Sequence, residues 1–299
     1  MRKADNIFYN LKERKKRKML IEIIKFFIYA ILIVMISKYM LVKGLRKLAE
    51  NLRLKPRTIG NIAGFATSIP ELLTVTVSSF KGLMGTSLYN IISSNVINFI
   101  QYGTSLIINK NYKVIKNKGI IIQNILVIIT IIFPIILLKL ENTLNIVIAF
   151  LLIAIYVIFY WISKKIHERY LSDEDIKIEE REKEQEVKEK YDNKQSFIYV
   201  GYILIAGILL YLIGDALGSV LENLSESFGI AEWILGVLLG MITSIPELVT
   251  FFEAQNHYKE EKNKNLLGVI EATNNLLTSN MLNLFIIQAI GILIYIIVS

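Results

Sequence analysis

The sequence predicts an all-α polytopic membrane protein of about eight transmembrane helices, arranged as two inverted repeats. Long apolar runs recur throughout the 299 residues, of which 54% are hydrophobic. These runs reach the ~20 residues that a helix needs to cross the hydrocarbon core of a bilayer. A six-residue motif containing proline and glutamate occurs twice inside them. A soluble globular domain does not carry so many bilayer-length runs, so that class is excluded.

The apolar runs define the predicted spans in chain order. We expect eight, near residues 19–42, 58–80, 83–108, 119–138, 143–163, 197–217, 230–255 and 266–298. The last run is longer than a straight crossing requires, which predicts a tilted or broken helix. A basic tail, residues 1–18, precedes the first span.

A charged segment divides the chain into two membrane halves. Residues 164–196 carry nine basic and eleven acidic residues, which predicts a solvated cytoplasmic loop. The first membrane half is expected at 19–163 and contains repeat one at 58–108. The second half is expected at 197–299 and contains repeat two at 230–290.

The composition excludes several classes of site. The chain has no cysteine, so disulfides and thiolate chemistry are excluded. His167 and His257 both lie in polar stretches, which excludes a histidine-bound zinc or haem site inside the membrane. The net charge of +8 fits basic cytoplasmic loops, and no nucleic-acid motif accompanies it. No nucleophile–base pair indicates an enzyme, and the expected partner is the lipid bilayer.

The repeat is the most informative feature of the sequence. The hexapeptide Thr-Ser-Ile-Pro-Glu-Leu at 67–72 recurs letter for letter at 243–248. Downstream, Ser-Asn-x-x-Asn occurs at 94–98 and again at 279–283. Each half therefore contains one unit, in which a span with the proline and glutamate precedes a span with the serine and two asparagines.

Span counting and loop charge both predict that the two units are inverted. Five spans precede the second half, and this odd number makes the second unit enter from the opposite side. The loop before the first motif span has six basic residues, whereas the equivalent second loop has none. The positive-inside rule then makes the loops after spans one, three, five and seven cytoplasmic. The same topology places the basic tail outside, where that rule does not favour it.

The repeated glutamates, Glu71 and Glu247, predict a cation site. A carboxylate inside the bilayer is costly and is kept mainly for function. Pro70 and Pro246 precede them and free backbone carbonyls, which membranes tolerate where they line a cavity. Hard oxygen donors of this kind suit Ca²⁺ and Na⁺. The donors that helical spacing groups together are Thr67, Glu71, Ser94 and Asn98 in repeat one, and Thr243, Glu247, Ser279 and Asn283 in repeat two.

These motifs resemble the alpha repeats of the sodium/calcium exchangers and other calcium/cation antiporters. Those repeats read roughly Gly-Thr-Ser-x-Pro-Glu followed by Gly-Asn-x-x-Gly-Ser-Asn-x-x-Asn. The resemblance implies an inverted-repeat cation antiporter bundle in the cell membrane, which transports Ca²⁺ and Na⁺ without a cofactor. It also implies that the two glutamates bind ions near the bilayer midplane, and that the Thr, Ser and Asn side chains, including Ser68 and Ser244, complete the sites.

The chain departs from the family pattern at several positions. Ala66 and Ile242 replace the first glycine of the family pattern. Larger residues also replace the glycines of the second motif, namely Tyr89, Ser93, Asn274 and Thr278. Most members of the family have ten spans, whereas the sequence of this chain shows eight. Three functions stay open at this point. They are sodium-driven calcium exchange, which leads, a proton-coupled antiport, and a degenerate membrane sensor or scaffold that does not transport.

Overall fold

The computed structural model describes residues 2–51, 56–139, 144–170, 193–257 and 265–299, and every regular element within them is helical. Twelve α-helices run in chain order through the described residues: α1 Arg2–Ile36, α2 Lys43–Asn51, α3 Pro56–Thr67, α4 Ile69–Phe80, α5 Met84–Ile108, α6 Lys118–Lys139, α7 Ile146–Tyr170, α8 Asn193–Glu222, α9 Glu232–Thr243, α10 Ile245–His257, α11 Asn265–Met281 and α12 Gln288–Val298. π-helical turns continue α1 into α2 at Ser37–Val42, extend α8 at Asn223–Ser227, and join α11 to α12 at Leu282–Ile287.

The membrane-spanning character is confirmed. Seven helical stretches of the described residues are long and apolar enough to cross a bilayer. The predicted span at 58–80 is not among them. It consists of two helices, α3 and α4, of 12 residues each. Apolar side chains point outward from the bundle, as Val147, Leu204 and Ile107 show with exposed fractions above 60%. This is the pattern of a surface solvated by lipid.

Both motif spans break at the motif itself. α3 ends at Thr67 and α4 begins at Ile69, while α9 ends at Thr243 and α10 begins at Ile245. The proline that follows is the second residue of each new helix, where its missing N–H is tolerated. Each break places a glutamate in the first turn of a new helix.

The two repeats interlock through glycines that precede the breaks. A methyl group at Gly64 of α3 would lie 2.7 Å from the carbonyl oxygen of Asn275 on α11. A methyl group at Gly240 of α9 would lie 2.7 Å from the carbonyl oxygen of Asn90 on α5. Such distances exclude any side chain, so these glycines let the helix backbones touch. Each repeat thus packs the first half of its broken span against the other repeat.

The inversion of the repeats is visible in the contacts between α5 and α11, which are equivalent helices. Successive hydrogen bonds pair Asn95 with Asn283 at 3.2 Å, Asn98 with Asn280 at 3.2 Å, and Tyr102 with Thr273 at 2.7 Å. The partner's residue number falls as that of α5 rises, so the two helices run antiparallel. Equivalent membrane helices that run in opposite directions belong to inverted repeats, as the sequence predicted.

The predicted boundaries need two adjustments. The tail at 1–18 continues directly into the first span, because α1 is helical from Arg2 onwards. The predicted loop at 164–196 starts later than expected, because α7 extends to Tyr170 with Lys164 and Glu168 one helical turn apart and 3.9 Å from each other. Neither segment contains a helix-breaking residue at the expected boundary. Residues 171–192 of this loop lie outside the described part of the chain.

Cysteine labelling tests the inverted topology in a chain that has no native cysteine. Lys81 follows α4, and the exposed Asn256 lies at the matching end of α10. An impermeant thiol reagent applied to intact cells should label Lys81→Cys and spare Asn256→Cys, because inverted repeats place these ends on opposite sides. Permeabilised cells, in which both positions should react, are the control. Labelling of both from one side in intact cells would contradict the fold.

Candidate cation-binding site

Glu71 and Glu247 lie at the centre of the interface between the repeats. Each is the third residue of the helix after the break, α4 or α10, and both side chains are fully buried. The two carboxyl groups are close enough to interact electrostatically. Within the described residues, neither forms an ion pair with a lysine or arginine. The pair therefore places two acidic groups in the protein interior without a basic partner.

Each glutamate is surrounded by hydroxyl groups from both repeats. Thr243 and Ser94 lie beside the carboxyl group of Glu71, although neither forms a hydrogen bond to that carboxyl group within 3.5 Å. Thr67 lies beside Glu247, and Ser279 Oγ donates a hydrogen bond of 3.0 Å to Glu247 Oε1. The threonine of one repeat therefore faces the glutamate of the other, and the predicted donors of the two repeats form one cluster.

Many oxygens of this cluster have no hydrogen-bond partner among the described residues. They are both carboxyl oxygens of Glu71, Glu247 Oε2, Thr243 Oγ1, Ser244 Oγ, Asn98 Oδ1 and Asn283 Oδ1. Buried polar atoms normally find a partner, and those that lack one require an explanation. Every atom in this set is an oxygen, the element that serves as ligand in sites for hard cations.

The asparagines of the second motif divide into two roles. Asn95 and Asn280 donate to each other's backbone carbonyl oxygens, both at 3.2 Å, and so fasten α5 to α11. Asn98 donates its amide N–H to Asn280 Oδ1, and Asn283 donates to Asn95 Oδ1. These bonds use the amide nitrogens of Asn98 and Asn283 and leave their side-chain oxygens without a hydrogen-bond partner among the described residues.

The remaining predicted donors form different hydrogen bonds in the two repeats. In repeat one, Thr67 and Ser68 donate to the Gly64 carbonyl oxygen at 3.3 and 2.8 Å, and Ser68 also lies 3.0 Å from Ser279 Oγ. In repeat two, Thr243 and Ser244 have no such bonds among the described residues. The site is therefore symmetric in its residues and asymmetric in its hydrogen bonds.

A layer of supporting residues lies behind the site. Thr74 and Thr250 come three residues after the glutamates, and each donates to a carbonyl oxygen at the start of its helix at 2.9 Å. Asn90 and Asn275 donate to these threonines at 2.6 and 2.5 Å. The site prediction did not include the threonines, although their equal spacing in both repeats is a signal in the sequence. They hold each glutamate-bearing turn against the neighbouring helix.

The chemistry of the donor set points to a hard cation. Burying an unpaired carboxylate costs several kcal/mol, so two of them require a cation, a proton, or both. The described residues contain no group of three or more His, Cys, Asp or Glu side chains that would suit a transition metal. Carboxylate, hydroxyl and amide oxygens are instead the ligands of calcium and sodium.

Comparison with known proteins agrees with this geometry. The family model described as sodium/calcium exchanger protein matches residues 23–165 and 198–299. The chain belongs to this family. Its fold is similar to that of the sodium–calcium exchanger NCX_Mj soaked with 10 mM Na⁺ and zero Ca²⁺, at 20% identity and a TM-score of 0.50 over 92% of this chain and 83% of that one. Among curated proteins, none matches the sequence significantly.

The departures from the family motif fit the structure of this exchanger-family chain. Ser93 and Thr278 replace motif glycines, yet they face Gly240 and Gly64 on the opposing helices. Thr278 Oγ1 also donates to Asn61 Oδ1 at 3.0 Å. The close helix approach is therefore kept, because the facing position carries no side chain.

Filling one of these glycine contacts tests the interlock of the repeats. Gly240→Ala would place a methyl group against Ser93 Oγ and 2.9 Å from the backbone nitrogen of Ser94. We expect a loss of about 1–3 kcal/mol in stability, the usual cost of overpacking. Gly207→Ala is the matched control because no atom lies within 4 Å of its added methyl group. Equal thermal stability of the two variants in detergent would show that the repeats do not touch at Gly240.

Proposed function

We propose that this protein is an antiporter that exchanges Ca²⁺ for Na⁺ across the membrane. The observation that carries the proposal is the fully buried pair of Glu71 and Glu247, which has no basic partner in the described residues. A protein of the sodium/calcium exchanger family with such a pair has both the fold and the charge for cation exchange. Family membership supports cation transport, and the choice of ions rests on the donor chemistry.

In this proposal the ion lies between the two carboxyl groups, near the bilayer midplane. Inverted-repeat transporters place their substrate site at that depth, at the interface of broken helices. Ser94 and Asn98 support this depth, since they lie near the middle of α5, Met84–Ile108. The residues that would complete the coordination are Thr67, Ser68, Ser94 and Asn98 from repeat one, and Thr243, Ser244, Ser279 and Asn283 from repeat two.

Charge balance provides the coupling between the two ions. Two ionised glutamates carry a charge of −2, which one Ca²⁺ or two Na⁺ would neutralise. Filling the site with both would leave excess positive charge in a low-dielectric interior, which is strongly unfavourable. Calcium and sodium therefore compete for one pair of carboxylates, and each ion crosses only after the other has left.

Neutralising either glutamate tests the shared site. We expect Glu71→Gln and Glu247→Gln each to reduce calcium uptake into proteoliposomes on the order of 100-fold, because each removes half of the charge that binds the divalent ion. Glu226→Gln, at an exposed position after α8, is the matched control and should transport normally. Uptake near the wild-type level in either buried variant would remove the basis of the proposal.

Separate ion gradients distinguish the coupling ions. A sodium gradient should drive calcium flux through the wild-type protein in vesicles, whereas a proton gradient at equal sodium should not. Buried carboxyl groups can also carry protons, and flux that follows only the pH gradient would establish the proton-coupled antiport instead. Absence of flux under both gradients, with intact calcium binding, would identify a sensor that does not transport.

A further inference from the structure

A second group of buried polar side chains lies outside the glutamate site. Ser79 Oγ, Ser87 Oγ and both amide atoms of Gln288 have no hydrogen-bond partner among the described residues. All three side chains are at least 99% buried. Leaving such groups unpaired costs free energy, so their arrangement requires an explanation.

Two of these side chains, Ser79 and Ser87, meet at Gly291 on α12. A methyl group at Gly291 would lie 2.7 Å from Val75 Cγ1, 3.0 Å from Ser79 Oγ and 3.1 Å from Ser87 Oγ, so both hydroxyls face this glycine. Gln288 lies three residues earlier on α12, one helical turn away and on the same face. We call these four residues the serine pocket. It lies at the end of α4 and the start of α5, next to the hairpin that joins them.

The serine pocket is aligned with the glutamate site. Ser79 follows Glu71 by eight residues on the same buried face of α4, a rise of about 12 Å along the helix. Between them, Val75, Ile91 and Ile287 form a small cluster of buried apolar side chains. Buried apolar side chains therefore lie between the two polar groups, an arrangement that in ion channels controls the passage of ions.

The opposite half of the protein lacks this arrangement, although the repeats are symmetric. Phe251 stands where repeat one has Val75, and its ring packs edge-on against Tyr102 at 5.9 Å. Gln255 stands where repeat one has Ser79, and its amide bonds Ser105 at 2.7 Å and Asn111 at 3.0 Å. Large side chains, whose polar atoms are hydrogen-bonded, thus fill the equivalent space in this half. The pocket is therefore specific to the α4–α5 side.

We propose that the serine pocket is a binding site for a monovalent cation, Na⁺, on the route between the α4–α5 hairpin and the glutamate site. Its donors are two hydroxyls and one amide oxygen, without a carboxylate. Neutral oxygens favour a singly charged ion, whereas Ca²⁺ sites use carboxylates. This inference rests on the proposed exchange function and adds a sodium-selective step to it.

Transport kinetics test the pocket through the Ser79→Ala/Ser87→Ala variant. The sodium concentration for half-maximal exchange should rise about fivefold, the effect expected for losing two neutral ligands, while that for calcium stays the same. Ser78→Ala is the matched control, because its hydroxyl already bonds the backbone carbonyl of Thr74 at 2.5 Å. If the double variant and the control show the same sodium dependence, the pocket holds water only and the proposal is wrong.

A binding measurement separates this inference from the proposed function. Glu71→Gln/Glu247→Gln removes the charges of the main site, and sodium should still raise the melting temperature of this variant in detergent more than choline does. Adding Ser79→Ala and Ser87→Ala should abolish that difference. If sodium and choline raise the melting temperature of Glu71→Gln/Glu247→Gln equally, the proposed sodium site in the serine pocket is wrong, whatever the wild-type protein transports. Failure of sodium–calcium exchange in the wild type would instead overturn the proposed function.

Discussion

Two acidic side chains buried in a membrane bundle, with no basic partner among the described residues, form the constraint on which the rest of the structure depends. Glu71 and Glu247 are tolerable there only with a compensating cation or proton, and side-chain oxygens from both repeats surround them. The helix breaks put each glutamate in the first turn of a new helix, the prolines allow those breaks, and Thr74 and Thr250 bond the carbonyls near them. These local features repeat because each repeat must present one carboxylate.

The two repeats surround the glutamates jointly. Thr243 lies beside Glu71 and Thr67 lies beside Glu247, so each carboxyl group has a neighbour from the other repeat. The reciprocal Asn95–Asn280 bonds fasten the two halves at their centre. The symmetry is broken in the hydrogen bonds of the site and in the packing on either side of it.

The sequence was sufficient to predict the helical membrane fold and the inversion of the repeats, and it singled out two glutamates as candidate ligands. Glu71 and Glu247 were identifiable because an intramembrane carboxylate in a duplicated motif has few structural explanations. The supporting roles of Asn95 and Asn280 were not predictable, because they arise from contacts between residues 185 positions apart. Ser79 and Ser87 gave no signal either, since a lone serine in a span usually bonds its own helix. Only packing against Gly291 distinguishes them from Ser78.

The central claim is that one pair of carboxylates holds either calcium or sodium, and never both. Equilibrium binding of radioactive calcium to the purified protein, with sodium replacing choline at constant ionic strength, tests it most directly. The account predicts that sodium displaces all bound calcium with a dependence steeper than first order, because more than one Na⁺ replaces each Ca²⁺. Calcium binding that is unaffected by sodium, or that retains a sodium-resistant fraction at saturation, would contradict it.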